Sequence, residues 1–374
     1  MDSTRPLLMQ KRVFFGSLES LRGVAALLVV FTHLPPWYPP IYFLEFIRNS
    51  YLMVEFFFVL SGFVLFHGYG TKILSKMDML KFMGLRFGRL YPVHVTFLLV
   101  ILGIETTKYI AATKYGLSGG NTTPFAENNL AAFVEHLFLV QGLGFSDHAF
   151  TFNIPGWSIS TEFYTYVLFG MSILFLTRKN FLLFSLAVIA VSLMLLLFWH
   201  AEIGYFDLIL KCLAGFFSGC LVCAVFQFAG QRKLSAWWSW LSLGSVVVLL
   251  CLKPVGDGWD ALMYPLSALL ILSLLLAPGC FLNAFFSKSP LRWLGKVSYS
   301  LYMSHGAAIW VVTQTFRVVL KVPEATVGGS HMPQFSPQIA LFAYPLTLLA
   351  VLLVAQTTFK LVEEPCRKWT RKAV

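Results

Sequence analysis

The sequence predicts an all-α, polytopic membrane helix bundle, and three observations carry that prediction. Of its 374 residues, 57% are hydrophobic, 16% aromatic and only 12% charged, a balance that excludes an ordinary soluble globule. Apolar runs of about 20 residues, long enough to cross hydrocarbon as helix, recur between short polar interruptions. Leu, Phe, Val and Ala dominate these runs without strict alternation, which favours helices over the strands of a membrane barrel.

Ten spans are expected, near residues 14–34, 51–70, 90–112, 156–176, 181–200, 205–228, 236–253, 261–278, 297–317 and 338–361. The first reads as a retained anchor, because Pro35 and Pro36 close it where a cleavage site would need small residues. It holds Arg22 and His33, and ionisable groups in hydrocarbon persist where a pathway or a reaction needs them. Their spacing corresponds to about three turns and roughly 16 Å of rise, so both side chains share one face at different depths.

The second span opens on Glu55 and carries Ser61-Gly62, a small pair that lets a helix or ligand approach closely. Before the third stand Arg86 and Arg89, spaced to project together and suited to forked contacts with phosphate. Residues 113–155 form an outer loop, in which 128–140 has the apolar spacing of a short interfacial helix. Asn121-Thr122-Thr123 within it is a glycosylation acceptor pattern, relevant only in a eukaryotic secretory membrane.

The fourth span begins Pro155-Gly156-Trp157, after which Ser158, Glu162, Thr165 and Tyr166 form a polar stripe at helical spacing. Spans five to eight are apolar, and the Cys220-x-x-Cys223 pair among them reads as small helix residues, with no metal site or disulfide framework expected. The ninth carries Ser298, Tyr299, Ser300, Tyr302, Ser304 and His305; taken alone, such a histidine is more often a hydrogen-bonded core residue than a catalyst. Residues 322–337, rich in Gly, Pro and Ser, are expected to be irregular.

Basic residues collect in cytoplasmic loops, and placing the amino terminus inside divides Lys and Arg at about three to one in favour of that side. An even number of spans returns the carboxyl terminus there, so both termini are expected to be cytoplasmic. This topology accounts for the net charge of +11, and no nucleic-acid surface is indicated. The chain 1–374 reads as one transmembrane domain without internal repeats.

Taken in order, these stretches resemble the acyltransferase 3 family of integral membrane acyltransferases. The resemblance rests on Leu21-Arg22-Gly23-Val24-Ala25-Ala26 running to His33, Phe56-Phe57-Phe58-Val59-Leu60-Ser61-Gly62-Phe63, Arg86-x-x-Arg89, Trp157-Ser158-Ile159-Ser160-Thr161-Glu162-Phe163, Gly295-Lys296-Val297-Ser298-Tyr299-Ser300-Leu301-Tyr302-Met303-Ser304-His305, and Glu363-Glu364-Pro365. It spans essentially the whole chain. It implies transfer of an acyl group, often acetyl, from cytoplasmic acyl-CoA to a hydroxyl of a carbohydrate, lipid-linked or small-molecule acceptor, with no permanently bound cofactor.

On that implication Arg86 and Arg89, with Arg22, are expected to hold the phosphates of acetyl-CoA. The pantetheine arm would rise along the first helix toward His33, which takes the acceptor proton. Glu162 is expected to orient His33, as a triad carboxylate does. Ser158, Tyr302 or an amide near Gly62 are candidates for oxyanion stabilisation, while Glu55, Ser61 and His305 complete the substrate-binding set. The competing reading is a transporter whose Arg22, His33, Glu55 and Glu162 line a proton or substrate path. Either way the protein is expected in a membrane, plasma or inner, or internal in a eukaryote.

Overall fold

The computed structural model describes residues 15–116, 123–230, 232–254, 258–277, 279–327 and 330–374. Arg5, Lys11 and Arg12, which entered the topology argument, and the first two residues of the Asn121 triplet lie outside the described residues.

Each of the ten apolar segments forms a helix, all but the third near its expected bounds. They are α1 (Gly16–Thr32), α2 (Met53–Tyr69), α3 (Lys76–Tyr115), α5 (Gly156–Phe175), α6 (Arg178–Phe198), α7 (Phe206–Ala229), α8 (Trp237–Leu252), α9 (Met263–Leu276), α10 (Ser289–Gln314) and α11 (Pro337–Thr358). Between α3 and α5 lies the eight-residue α4 (Leu130–Leu137), opened by Asn129, whose side chain accepts from the Ala132 amide; after α11 comes α12 (Glu364–Ala373). Among the described residues, six stretches are long and apolar enough to cross a membrane: Glu45–Tyr69, Lys76–Tyr115, Arg178–Phe198, Phe206–Ala229, Trp259–Leu276 and Pro337–Ala373. Helices α1, α5 and α10, which carry Arg22, Glu162 and His305, are packed among them.

Two expectations change. Helix α3 begins at Lys76 rather than near 90 and runs for 40 residues, so Arg86 and Arg89 stand inside a helix and not in a loop before it. The early start has a local cause: Ser75 accepts from the Asp78 amide at 3.2 Å and donates to its carboxylate at 2.7 Å, a reciprocal cap. The second change concerns residues 322–337, where β1 (Glu324–Val327) and β2 (Ser330–Pro333) pair antiparallel. Arg317 fastens that hairpin through Glu324 and the His331 carbonyl.

Helix contacts are made through glycine, as expected where no hydrophobic gain drives apolar helices together in lipid. Gly23 of α1 lies against Gly295 of α10, where a Cβ would come within 2.4 Å of the Gly295 nitrogen. Gly62 of α2 and Gly219 of α7 likewise face Phe216 and Val59 backbone, at 1.8 and 1.9 Å from such a Cβ. Stacked Phe66 and Phe181 and edge-on Phe169 and Phe216 fill the space beside them. The result fixes α1, α2, α5 and α10 around a common space.

Candidate functional site

That space is a cavity of about 290 Å³. From α1 it receives Arg22, whose Nε donates to Ser298 Oγ at 2.9 Å and whose Nη2 donates to the Gly295 carbonyl at 3.0 Å. The Gly23–Gly295 approach explains this reach: only with the two backbones touching does a guanidinium on one helix meet a carbonyl of the other. Glu19 stands 3.9 Å from Arg22, and both side chains retain over a quarter of their exposure, so this end of the cavity is its mouth.

From α3 come Arg86 and Arg89. The Arg86 guanidinium lies 5.5 Å from the Tyr69 ring centre and 5.9 Å from that of Phe82, a cation–π setting, and reaches the Tyr69 hydroxyl at 3.5 Å. Its Nε is buried without a partner, so a hydrogen bond remains to be made. Arg22, Arg86 and Arg89 therefore line one cavity with Glu19, an arrangement with net positive charge at its mouth.

Deeper in, the wall is hydroxyl-rich. Glu162 accepts from Ser61 Oγ at 2.6 Å and from the Tyr166 hydroxyl, and Ser61 and Tyr166 are themselves 3.0 Å apart. The polar stripe on α5 thus meets the small pair on α2. Beyond it, Ser158 Oγ and the Tyr302 hydroxyl bond at 2.9 Å, with Ser158 also donating to the Pro155 carbonyl at 3.0 Å.

Seven of the expected site residues, Arg22, Ser61, Arg86, Arg89, Ser158, Glu162 and Tyr302, line this cavity. His33, His305 and Glu55 do not. His33 caps the far end of α1, and its Nδ1–H donates to the Val29 carbonyl at 2.8 Å. Its ring lies 4.9 Å from that of His305, whose Nδ1–H donates to the Tyr302 carbonyl at 2.7 Å. A carbonyl only accepts, so both neutral rings carry the proton on Nδ1 and present Nε2 as a lone pair. That of His305 is buried with no partner.

Tyr302 belongs to both compartments. Its hydroxyl closes the cavity beside Ser158, while its ring packs 6.1 Å from His305 and 5.8 Å from Phe57. The cavity that holds the arginines thus ends at Tyr302 without reaching His33. The expected contact between Glu162 and His33 is not formed either: Glu162 is held by Ser61 and Tyr166, and His33 by Val29. Depth explains it, since Glu162 lies six residues inside α5, about 9 Å along its axis, whereas His33 sits at a helix end. Glu55 is buried at the far end of α2, within electrostatic range of Lys211 and Asp207, which pair at 2.8 Å.

Tyr166 and Ser298 shape the cavity without having been singled out as site residues. Tyr166 was discoverable, since it follows Glu162 by one helical turn.

Comparison with known proteins agrees with this architecture. A family model described as an acyltransferase domain matches residues 15–357. The chain is 33% identical over 201 residues to Protein 2 in picA locus of Rhizobium radiobacter, covering 50% of this chain and 95% of that protein. It is 24% identical over 400 residues to O-acetyltransferase OatA of Staphylococcus aureus, and 22% over 401 residues to peptidoglycan O-acetyltransferase OatA of Listeria monocytogenes. Those two alignments take in 96% of this chain but only 58% and 56% of the relatives, so the chain spans somewhat over half their length. No solved structure matches.

Proposed function

We propose a transmembrane-type acyl transfer for this protein, proceeding from the premise that the chain belongs to the acyltransferase 3 family. The donor is acyl-CoA, most simply acetyl-CoA, and the acceptor is a hydroxyl of a carbohydrate or a similar molecule. The observation that carries the reading is one cavity with Arg22, Arg86 and Arg89 at its mouth and, at its closed end, Tyr302, whose ring packs on His305, which in turn packs on His33.

Guanidinium groups bind phosphate through charge-assisted, forked hydrogen bonds, and Arg86 has an unused buried donor for one. The cavity volume lies at the lower limit of small-molecule sites, roughly 300–1,000 Å³. It accommodates a slender thioester arm rather than a whole nucleotide, which leaves the phosphates at the mouth. Glu162, Ser61 and Tyr166 form the wall along which that arm lies.

At the closed end His33 is the base. Its Nδ1–H is committed to Val29, so Nε2 takes the proton from the acceptor hydroxyl as the oxygen attacks the thioester carbon. The carbon–sulfur bond then breaks, and the CoA thiolate leaves and is protonated. The part a carboxylate plays in a triad falls to the Val29 carbonyl, which fixes the tautomer. Tyr302 has to swing from Ser158 for the thioester to reach His33. In this arrangement α1, α5, α8 and α10 cross the bilayer with the six longer spans, giving ten crossings, and the arginine mouth and both termini face the cytoplasm.

The test uses membranes containing the full chain and acetyl-labelled CoA, with and without a hydroxyl acceptor such as a cell-wall glycan fragment. Acceptor-dependent thioester cleavage is expected, and His33→Ala is expected to lower it by about 10²–10⁴-fold at unchanged donor binding. Label that crosses the membrane with its thioester intact would favour a transporter. Near-normal acylation by a folded His33→Ala protein would remove the base assignment.

A further inference from the structure

The Glu363-Glu364-Pro365 stretch plays no part in the reaction as described, yet the backbone departs from regular geometry to place it. Over Phe359–Glu363 the chain makes a π-helical turn between α11 and α12, a deviation that re-aims side chains and is frequent at functional sites. It turns Glu363 inward, where the carboxylate is 2% exposed and accepts from Ser300 Oγ of α10 at 2.7 Å and from Arg367 Nη1 at 3.1 Å. A buried carboxylate held from two sides anchors the guanidinium it pairs with.

Helix α12 then runs against α3. The two are so close that a Cβ on Gly88 would lie 2.0 Å from Thr370 Oγ1. Arg367 precedes Thr370 by one turn and Arg89 follows Gly88, so this contact brings the two arginines onto facing surfaces. Arg89 lies within electrostatic range of Arg367, and Arg22 in turn within range of Arg89, Glu363 and Arg367.

A charge that only set topology would do so from any exposed position. Lys368, next in sequence, is such a group, with a side chain 67% exposed, whereas Arg367 keeps 26% and is tied to a carboxylate that keeps 1%. Among the described residues, Arg22, Arg86, Arg89 and Arg367 meet Glu19 and Glu363 at this end and Glu162 deeper in, four cations to three carboxylates, and crowding cations in this way is costly unless a further anion joins them. Arg367 does not line the cavity, so it meets a part of the ligand that remains outside.

We infer that Arg367 is a further donor-binding residue, which receives the phosphate monoester on the donor's ribose while Arg22, Arg86 and Arg89 take the diphosphate. The inference rests on the acyl-CoA reading. Glu363 is its positioning residue, holding the guanidinium ready in the empty protein and sharing it when phosphate arrives.

The test measures equilibrium binding of acetyl-CoA and of 3′-dephospho-acetyl-CoA to the purified full chain in neutral detergent. The unsubstituted protein is expected to prefer the phosphorylated donor by about tenfold or more, the worth of one charge-assisted hydrogen bond. Arg367→Ala is expected to bring both donors to within about twofold of each other, Arg367→Lys to fall between, and Lys368→Ala to behave as the parent. Because Arg367→Ala leaves a buried carboxylate unpaired, the double variant Glu363→Gln/Arg367→Ala repeats the measurement without that liability.

A full preference retained by folded Arg367→Ala would overturn the inference, as would equal binding of the two donors by the parent protein. Binding of neither donor would instead remove the acyl-CoA reading beneath it. If Arg367→Ala weakens retention of phosphatidylglycerol vesicles while the donor preference persists, the guanidinium serves lipid headgroups and the inference is overturned.

Discussion

The two ends of the space between α1, α2, α5 and α10 are built on opposite plans. At the arginine end charged groups are plural and partly wet: Arg22 and Arg86 are tied across helices, to Ser298 and Gly295 and to Tyr69, while Arg367 is tied one turn back to Glu363. At the histidine end each ring is tied to a carbonyl of its own helix, four residues back for His33 and three for His305, and each keeps one nitrogen free. The first plan suits holding a polyanion, where several moderate contacts add up. The second suits moving one proton, where the tautomer matters more than the number of contacts.

The sharpest way to break this contrast is to remove one group from each end and ask which kinetic constant moves. Arg86→Ala is expected to weaken donor binding by about 10–100-fold, the range for hydrogen bonds to charged groups, and to make that binding less dependent on salt. His305→Ala is expected to leave donor affinity alone and to lower the turnover rate. Rates measured over a donor series at two ionic strengths separate the two; equal changes in KM for both variants would mean that the ends act as one site.

A smaller effect tests the boundary between them. Tyr302→Phe keeps the ring against Phe57 and His305 but removes the bond to Ser158, so the ring opens more readily. Acceptor-independent thioester hydrolysis is expected to rise several-fold in this variant, because one hydrogen bond is worth about 1 kcal/mol. Unchanged leakage would show that the hydroxyl does not hold the partition closed.

The smallest expected effect is on stability, in the segment between α3 and α5. His136 of α4 is buried; burial first, and then neighbouring His94, push its pKa down to about 3. Its neutral ring accepts or donates at Thr151 Oγ1, 3.1 Å away. A folded pKa below the unfolded value of about 6.5 means that the folded state resists protonation. The stability it contributes is therefore complete above pH 6.5 and declines as pH falls from there toward 3. Thermal unfolding of the purified protein is expected to be flat from pH 7 to 8 and to drop below 6.5, and His136→Gln is expected to flatten that drop.

Much of this organisation was legible in the residues, for reasons tied to particular positions. The apolar period marked each long helix, Arg22 stood out because charge in hydrocarbon is costly, and Arg86 and Arg89 because their spacing projects both to one side. The early part of α3 was hidden, since Lys76, Asp78 and Lys81 lower its hydropathy and only the Ser75–Asp78 cap announces a helix there. The Glu162–His33 contact failed for a different reason. Sequence spacing orders residues along one helix, but the relative height of two helices is set by contacts between them: Glu162 lies six residues inside α5, whereas His33 sits at the end of α1. Arg367 was hidden by its company, one basic residue among several at the end of the chain.

The touching backbones at Gly23 and Gly295 also act as the zero mark of a two-sided ruler. Helices α1 and α10 run parallel from that point, and His33 and His305 each stand ten residues beyond it. The imidazoles face one another because both rails are read off to the same graduation. One residue inserted into a single rail would turn its ring by about 100° and carry it about 1.5 Å onward, so length can change between these marks only in both helices at once.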